Sequence, residues 1–229
     1  MTEPTAPAAP AAGRPPLPDA HDRAILVVLR ELGASSPDTL AERMGASPAR
    51  VRQRLHHLEG AGFVIRHSIR HGVGRPRHLY DVTAQAQPSL PGNYDGLAET
   101  LLRSIRTIGG EELIDEVFQA RRRILSERIR TRFEQRLGAD ATLADRAREL
   151  AAMQDENGYL CRATALDGEH GPIELRQSNC AIISAASGHP SACRAELQLI
   201  TEVLGAKVER VTHIATGDRA CTYRITPEA

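Results

Sequence analysis

The sequence has no tryptophan and only three Phe and four Tyr among its 229 residues. It also lacks a long hydrophobic stretch: the longest wholly apolar run, Ala24 to Leu29, is six residues, against the roughly 20 that a membrane-spanning helix needs. No membrane partner is expected. A secretory signal is missing too. The first eighteen residues, MTEPTAPAAPAAGRPPLP, hold six Pro, five Ala and an early Glu3, so they have neither a basic start nor an unbroken apolar segment. Residues 1–18 read as a flexible tail on a protein that stays in the cytoplasm. Cysteine is scarce, with four scattered residues. In a reducing compartment these are ligands, reactive groups or packing rather than a disulfide frame. A Gly-rich phosphate loop, an H-E-x-x-H pair, a nucleophile elbow and a paired-acid motif are all absent, so no enzyme is expected.

Charge is present in balance, 29 Lys and Arg against 29 Asp and Glu, but it is unevenly placed. Between Arg43 and His78 there are eight Arg and a single acid, Glu59. A basic block beside an acidic remainder suggests a polyanion-binding module joined to something else, and nucleic acid is the commonest partner of that kind.

Residues 19–86 carry the pattern of a winged helix-turn-helix. An apolar run around Leu26 and Leu29 is stopped by Gly33, and Ser36-Pro37 and Ser47-Pro48 each supply an N-cap with Pro at the first helical position. Val51, Leu55 and Leu58 share one helical face, which leaves Gln53 and His56 opposite it and Arg50 and Arg52 on its shoulders. After Gly60-Ala61-Gly62 the period changes to two: Phe63 and Ile65 alternate with Val64 and Arg66, and a matching strand runs from His78 to Thr83. The Arg- and Gly-rich turn between them, RHGVGRPR at 70–77, completes a wing. In this motif the second helix enters the major groove and basic residues hold phosphates. Ser47, Arg50, Arg52, Gln53, His56, Arg70, Arg75 and Arg77 are therefore the candidate contacts to double-stranded DNA, Arg and Gln being suited to bidentate contacts with guanine and adenine.

Gln87 to Gly92 reads as a linker, and residues 93–156 as a helical region that joins two chains. Leu97, Leu101, Ile105 and Ile108 follow at helical spacing up to Gly109-Gly110. A stretch without Gly or Pro comes next, with a stripe of Ile114, Val117, Arg121, Ile124 or Leu125, Ile129 and Phe133, and then a helix from Leu143 to about Gln154. A homodimer reading two half-sites needs a self-complementary surface of this kind. The same helices also fit an internal packing layer, and both roles can hold at once.

Residues 157–229 read as a small α+β domain, which makes the whole chain α+β. Strands are expected at 159–166 and 172–175, a helix from Ser191 to Leu204 stopped by Gly205, and a hairpin of KVERVTHI and ACTYRI about Gly217-Asp218. Cys161 shares strand parity with small residues and reads as a core thiol. Cys180, Cys193 and Cys221 fall just past a strand, in a first helical turn and at a strand start. A helix N-terminus favours a thiolate, and thiolates bind soft metals and iron–sulfur clusters. No tight C-x₂₋₄-C turn of a structural zinc site is present. Metal ligation, inert packing and a thiol redox switch all remain open on spacing alone.

The segments SPARVRQRLHHLEGAGFV and GVGRPRHLYDVT, common to many winged-helix regulators, and the more specific NCAIISAASGHPSACRAELQLITEVLGAKVERVTHIATGDRACTYRI together resemble the SufR-type repressors, winged-helix relatives of the ArsR and DeoR regulators that control iron–sulfur cluster assembly operons. The resemblance spans Asp19 to Ile225. It implies a homodimeric, nucleoid-associated repressor in which each chain binds an iron–sulfur cluster, of the [4Fe–4S] type, through Cys180, Cys193 and Cys221, with cluster loss releasing the DNA operator. One departure is Ala181, where the family generally has Pro after the first cysteine. The fourth ligand is left among Cys161, Asp167, Glu169, His170, His189 and His213. The competing regulatory reading is a zinc- or thiol-redox-responsive winged-helix regulator.

Overall fold

A computed structural model describes residues 18–69, 77–138, 140–166 and 171–227. The chain divides into two units, Met1–Gly92 and Asn93–Ala229, in which helices combine with two small antiparallel sheets. No helix among the described residues is long and apolar enough to cross a membrane. The expected tail falls, apart from Pro18, outside the described residues, as does most of the expected wing turn.

In the first unit, helix α1 (Ala20–Leu32) begins before its apolar stripe because Asp19 caps it, accepting the Asp22 N–H at 2.8 Å. Helices α2 (Pro37–Met44) and α3 (Pro48–Gly60) start where the two Ser-Pro pairs predict. Ser36 Oγ accepts from the Thr39 N–H at 3.1 Å and Ser47 Oγ from the Arg50 N–H at 3.2 Å, caps worth about 1 kcal/mol each. Ile25, Leu26 and Leu29 of α1, Leu40 of α2 and Val51, Leu55 and Leu58 of α3 close a core with Phe63, Tyr80 and Ala86. Strands β1 (Val64–Ile69) and β2 (Arg77–Val82) pair antiparallel, Val64 opposite Val82. Only the base of this hairpin is packed. Val64 is buried while Ile65 is exposed, so burial does not follow the expected alternation, because a two-stranded ribbon has no second layer to cover its outer half. Ser35 and Tyr80 exchange two backbone hydrogen bonds of 2.9 Å, tying the α1–α2 connection to β2. The start of the expected linker is instead a 3₁₀ turn, Ala84–Ser89, anchored by buried Ala86.

In the second unit, α4 (Tyr94–Arg136) is broken at Gly109 and Gly110, the glycine pair expected to divide it. Gly110 has φ of +67°, and a Cβ on Gly109 would meet the Leu113 side chain at 2.6 Å, so the break suits glycine at both places. Beyond it Ile114, Phe118 and Ile129 are buried and Leu125 is partly covered, while Ile124 faces outward. The stripe therefore includes Phe118, and of the Ile124–Leu125 pair it takes the leucine. Before the break, Leu102 and Ile105 pack inward, but Leu97, Leu101 and Ile108 of the expected stripe are exposed.

Helix α5 (Leu143–Glu156) opens with a reciprocal capping box of Thr142 and Asp145. Strands β3 (Cys161–Ala165) and β4 (Ile173–Gln177), helices α6 (Ile183–Gly188) and α7 (Pro190–Leu204), and strands β5 (Lys207–Thr212) and β6 (Cys221–Thr226) follow. The antiparallel sheet has the order β3-β4-β6-β5. Its core gathers Leu150, Leu175, Leu199, Ile200, Leu204, Tyr223 and Ile225. Glu202 of α7 accepts from Arg122, Ser126 and Arg130 of α4, and Arg132 of α4 holds Glu149 and Glu156 of α5 at 2.6 and 2.7 Å. These pairs fix α4 beside the two helices that flank the sheet.

Candidate functional site

The first unit offers one face of α3 to the outside. Ser47, Arg50, Arg52, Gln53 and His56 are all exposed there, as is Arg77 at the start of β2. Arg52 and Arg77 line a common shallow groove with His78, but Asp38 and Glu42 line it as well, and Arg52 Nη1 is paired with Asp38 at 3.0 Å. Ser47 acts at the backbone as the cap of α3, which sets where the exposed row begins. Arg70 and Arg75 lie outside the described residues. Not every arginine of the basic block is free of an acidic partner. Arg54 turns back to Asp19 at 2.9 Å and to the buried Asp22 at 2.7 Å, and Arg66 pairs with Glu59 at 3.2 Å. The Asp22 backbone N–H and the Arg54 guanidinium hold the Asp19 carboxyl down at about 2.

The second unit brings the three candidate cysteines together. Cys180 follows β4 in the connection to α6, Cys193 lies in the first turn of α7, and Cys221 opens β6. Far apart in sequence, they line a single small cavity of about 20 Å³ with Gln177, Ile182, Glu196, Arg210, His213 and Tyr223. That volume is about the room of one water molecule. Cys180 and Cys193 also pack onto α4, in a cluster with Ile114, Phe118, Ala186 and Ala192 that reaches Leu102 and Ile105 on the other side of the glycine break. Cys161 lies apart, buried in the sheet core with its Sγ donating to Gln154 Oε1 at 3.1 Å.

Burial governs the titration of these groups. It pushes Cys161 up to about 12, and it raises Cys180 and Cys193 above an ordinary thiol. At Cys193 the Arg210 charge works in the opposite direction but is outweighed, so the low-pKa thiolate expected at a helix start is not what this environment produces. Loss of hydration for the charged form outweighs the favourable charge of Arg210. His213 is held below the usual imidazole value by burial and by Arg210, which favours the neutral ring.

Charged and amide side chains form the surroundings of the cavity, and the sequence reading passed over them. Glu196 of α7 is buried, accepts from Gln154 Nε2 at 3.0 Å and Gln177 Nε2 at 3.3 Å, and is raised by its burial. Arg210 lies 5.5 Å from the centre of the Tyr223 ring and donates to the Cys193 carbonyl. A signal for Glu196 was available: it is the one charged residue on the otherwise apolar buried face of α7, with Ala192, Leu199, Ile200 and Val203. His213 Nε2 and His189 Nδ1 are buried with no hydrogen-bond partner among the described residues.

Among the described residues no three His, Cys, Asp or Glu side chains stand grouped as a ready-made ion site. The donor chemistry nevertheless fits a thiophilic group, since three thiols share one cavity that also has an unpartnered imidazole nitrogen on its wall. Asp167, Glu169 and His170 lie outside the described residues.

No family model and no curated protein matches the chain. Among solved structures, Bacillus subtilis PadR in complex with operator DNA is similar over 54% of this chain and 80% of that chain, at 15% identity and a TM-score of 0.29. A likeness at that level bears on neither the fold nor the function of this chain, and the functional reading rests on its own residues.

Proposed function

We propose that this chain is a winged-helix, DNA-binding transcriptional repressor whose C-terminal unit binds an iron–sulfur cluster, of the [4Fe–4S] type, through Cys180, Cys193 and Cys221, and that loss of the cluster releases the operator. By the resemblance of its cysteine region, the genes it controls are those of iron–sulfur cluster assembly. The observation that carries the reading is the convergence of three cysteines, remote in sequence, on one cavity that packs against α4 on both sides of its break. When bound, the group supplies a link between three chain segments that depends on iron and oxidants.

The chain's own residues divide the work. Ser47 fixes the start of α3, and Arg50, Arg52, Gln53 and His56 are exposed along it, where they can meet base edges, while Arg77 at the wing is placed for phosphate. Cys180, in the connection before the short α6, packs on α4 together with Ile182 and Ala186. The same cluster includes Leu102 and Ile105 in the arm of α4 before the break, so ligation at Cys180 would act on that arm. A ligand shifts an equilibrium between two arrangements only if it favours one of them, and tighter ligation by Cys180 in one arrangement of its connection is the preference that this reading requires.

Dimerisation is supported by the outer face of that arm. Tyr94, Leu97, Leu101 and Ile108 are exposed there and follow, with Ser104, the alternating three- and four-residue spacing of a coiled-coil seam. A second copy of the chain is the partner that such a seam matches by symmetry.

Anaerobic purification with iron and sulfide analysis, a visible spectrum and operator binding at several salt concentrations tests the proposal. The expected result is a brown protein that loses both its colour and its operator affinity in Cys193→Ser, and an Arg50→Ala variant that keeps its colour but binds DNA weakly. A protein that is colourless after anaerobic reconstitution overturns the cluster half. Undiminished binding by Arg50→Ala overturns the assignment of α3.

A further inference from the structure

We infer that His213 is the fourth donor of the thiol site, its imidazole completing the set begun by Cys180, Cys193 and Cys221. The inference rests on the cluster reading above and deepens it. Four observations lead to it.

The first is position: His213 lines the same cavity as the three thiols. The second is an unmet requirement. Its Nε2 is buried without a hydrogen-bond partner among the described residues, a condition that folded chains normally avoid unless the atom has another use. The third is that the rest of the residue is committed. The His213 N–H donates to Asp218 Oδ2 at 2.7 Å, and its carbonyl accepts from the backbone N–H groups of Thr216 and Asp218 and from Thr216 Oγ1 at 2.9 Å. The backbone is thus pinned in the β5–β6 turn while the ring nitrogen stays free. The fourth is the neighbouring bond: Ile214 N–H donates to Cys221 Sγ at 3.3 Å. The β5–β6 turn and the first residue of β6 therefore bring one candidate nitrogen and one candidate sulfur to the lining of a single cavity, and a hydrogen bond to the sulfur is a feature that tunes such centres.

Among the described residues, the competing donors are placed less favourably, Asp167, Glu169 and His170 lying outside them. Cys161 gives its thiol hydrogen to Gln154 within the core. Glu196 lines the cavity but accepts from two glutamine amides. His189 also has an unpartnered nitrogen, yet its ring lies against Phe118, 6.2 Å between centroids, and it is not among the cavity-lining side chains. A neutral imidazole in place of a fourth thiolate removes one negative charge from the site, and histidine ligation raises the reduction potential of iron–sulfur centres.

The test uses the full chain loaded anaerobically with iron and sulfide, reduced, and examined by pulsed electron paramagnetic resonance with and without ¹⁵N-labelled histidine. The expected result is a nitrogen hyperfine coupling that changes with the label, persists in His189→Gln and vanishes in His213→Ala. His213→Cys is expected to keep a full complement of iron and sulfide, to lose the coupling and to show a lower midpoint potential; it keeps the test decisive if the alanine variant folds poorly. A loaded wild-type chain with no nitrogen coupling, or a coupling that survives in His213→Cys, overturns this inference while leaving the cluster reading in place. A wild-type chain that takes up neither iron nor sulfide overturns both.

Discussion

The two units put their polar side chains to opposite uses. In the first, the helices and wing close around an apolar core of Leu26, Leu29, Leu55, Leu58 and their neighbours, and most of the arginines lie on the surface. In the second, the core is crossed by a set of buried polar groups: Cys161, Gln154, Gln177 and Glu196 are hydrogen-bonded in series, with Tyr223 at 3.5 Å from Gln177. Burying such groups costs free energy unless every one of them is satisfied. The first unit thus turns most of its polar side chains outward, and the second buries a part of its own in a hydrogen-bonded set.

The largest expected effect that sharpens this contrast is in the apolar core. Leu26 is fully buried, and Leu26→Ala should cost about 3 kcal/mol through lost burial and the cavity left behind. Hydrogen exchange in the full chain should quicken between residues 20 and 82 and not in the sheet that carries Cys221. Equal quickening in both would mean that the two units do not differ in the way described. A smaller effect is expected in the polar core. Glu196→Ala leaves the Gln154 and Gln177 amides without their acceptor and should cost about 2 kcal/mol, whereas Glu196→Gln, which restores an acceptor oxygen, should stay within about 1 kcal/mol of the wild type. Urea denaturation of both variants distinguishes a hydrogen-bond requirement from a simple loss of volume, and equal costs would remove the network from the account.

The smallest effect concerns the acid limb. The Asp19 carboxyl is held at about 2 in the folded chain, against 3.8 for the unperturbed group. Its contribution is therefore present above about pH 4 and is lost as the pH falls toward about 2, because the unfolded chain takes up the proton first. The stability difference between wild type and Asp19→Asn should shrink across that window. A difference that stays constant down to pH 2 would show that Asp19 does not hold the end of α1 through its charge.

What could be read in advance was local. Ser36-Pro37, Ser47-Pro48, Gly33 and Gly205 marked helix ends because caps and stops act within a few residues. Gly109-Gly110 likewise marked the break in α4, and the placements of Cys180, Cys193 and Cys221 at element junctions follow from the same reading. What escaped depends on partners distant in sequence. Arg54 counts toward the basic block in the sequence, but its partner Asp22 sits on a different helix. The Ser35–Tyr80 bridge joins a loop to a strand. Glu196 has meaning only once Gln154 and Gln177, from a helix and a strand, arrive beside it. His213 is one of six candidates in the sequence, and its place on the wall of the same cavity as the thiols is visible only in the fold.

The break in α4 also sets a length scale. From Tyr94 to Ile108 the helix is straight and, at 1.5 Å per residue, roughly 22 Å long, so a rotation of about 10° at the glycines would carry Tyr94 through about 4 Å. Leu102 and Ile105 pack in the same cluster as Cys180, so a displacement there that turned the arm would arrive at its far end enlarged to the width of a side chain. Such a turn would act as a lever whose gain is set by the number of residues between Gly109 and the end of the helix.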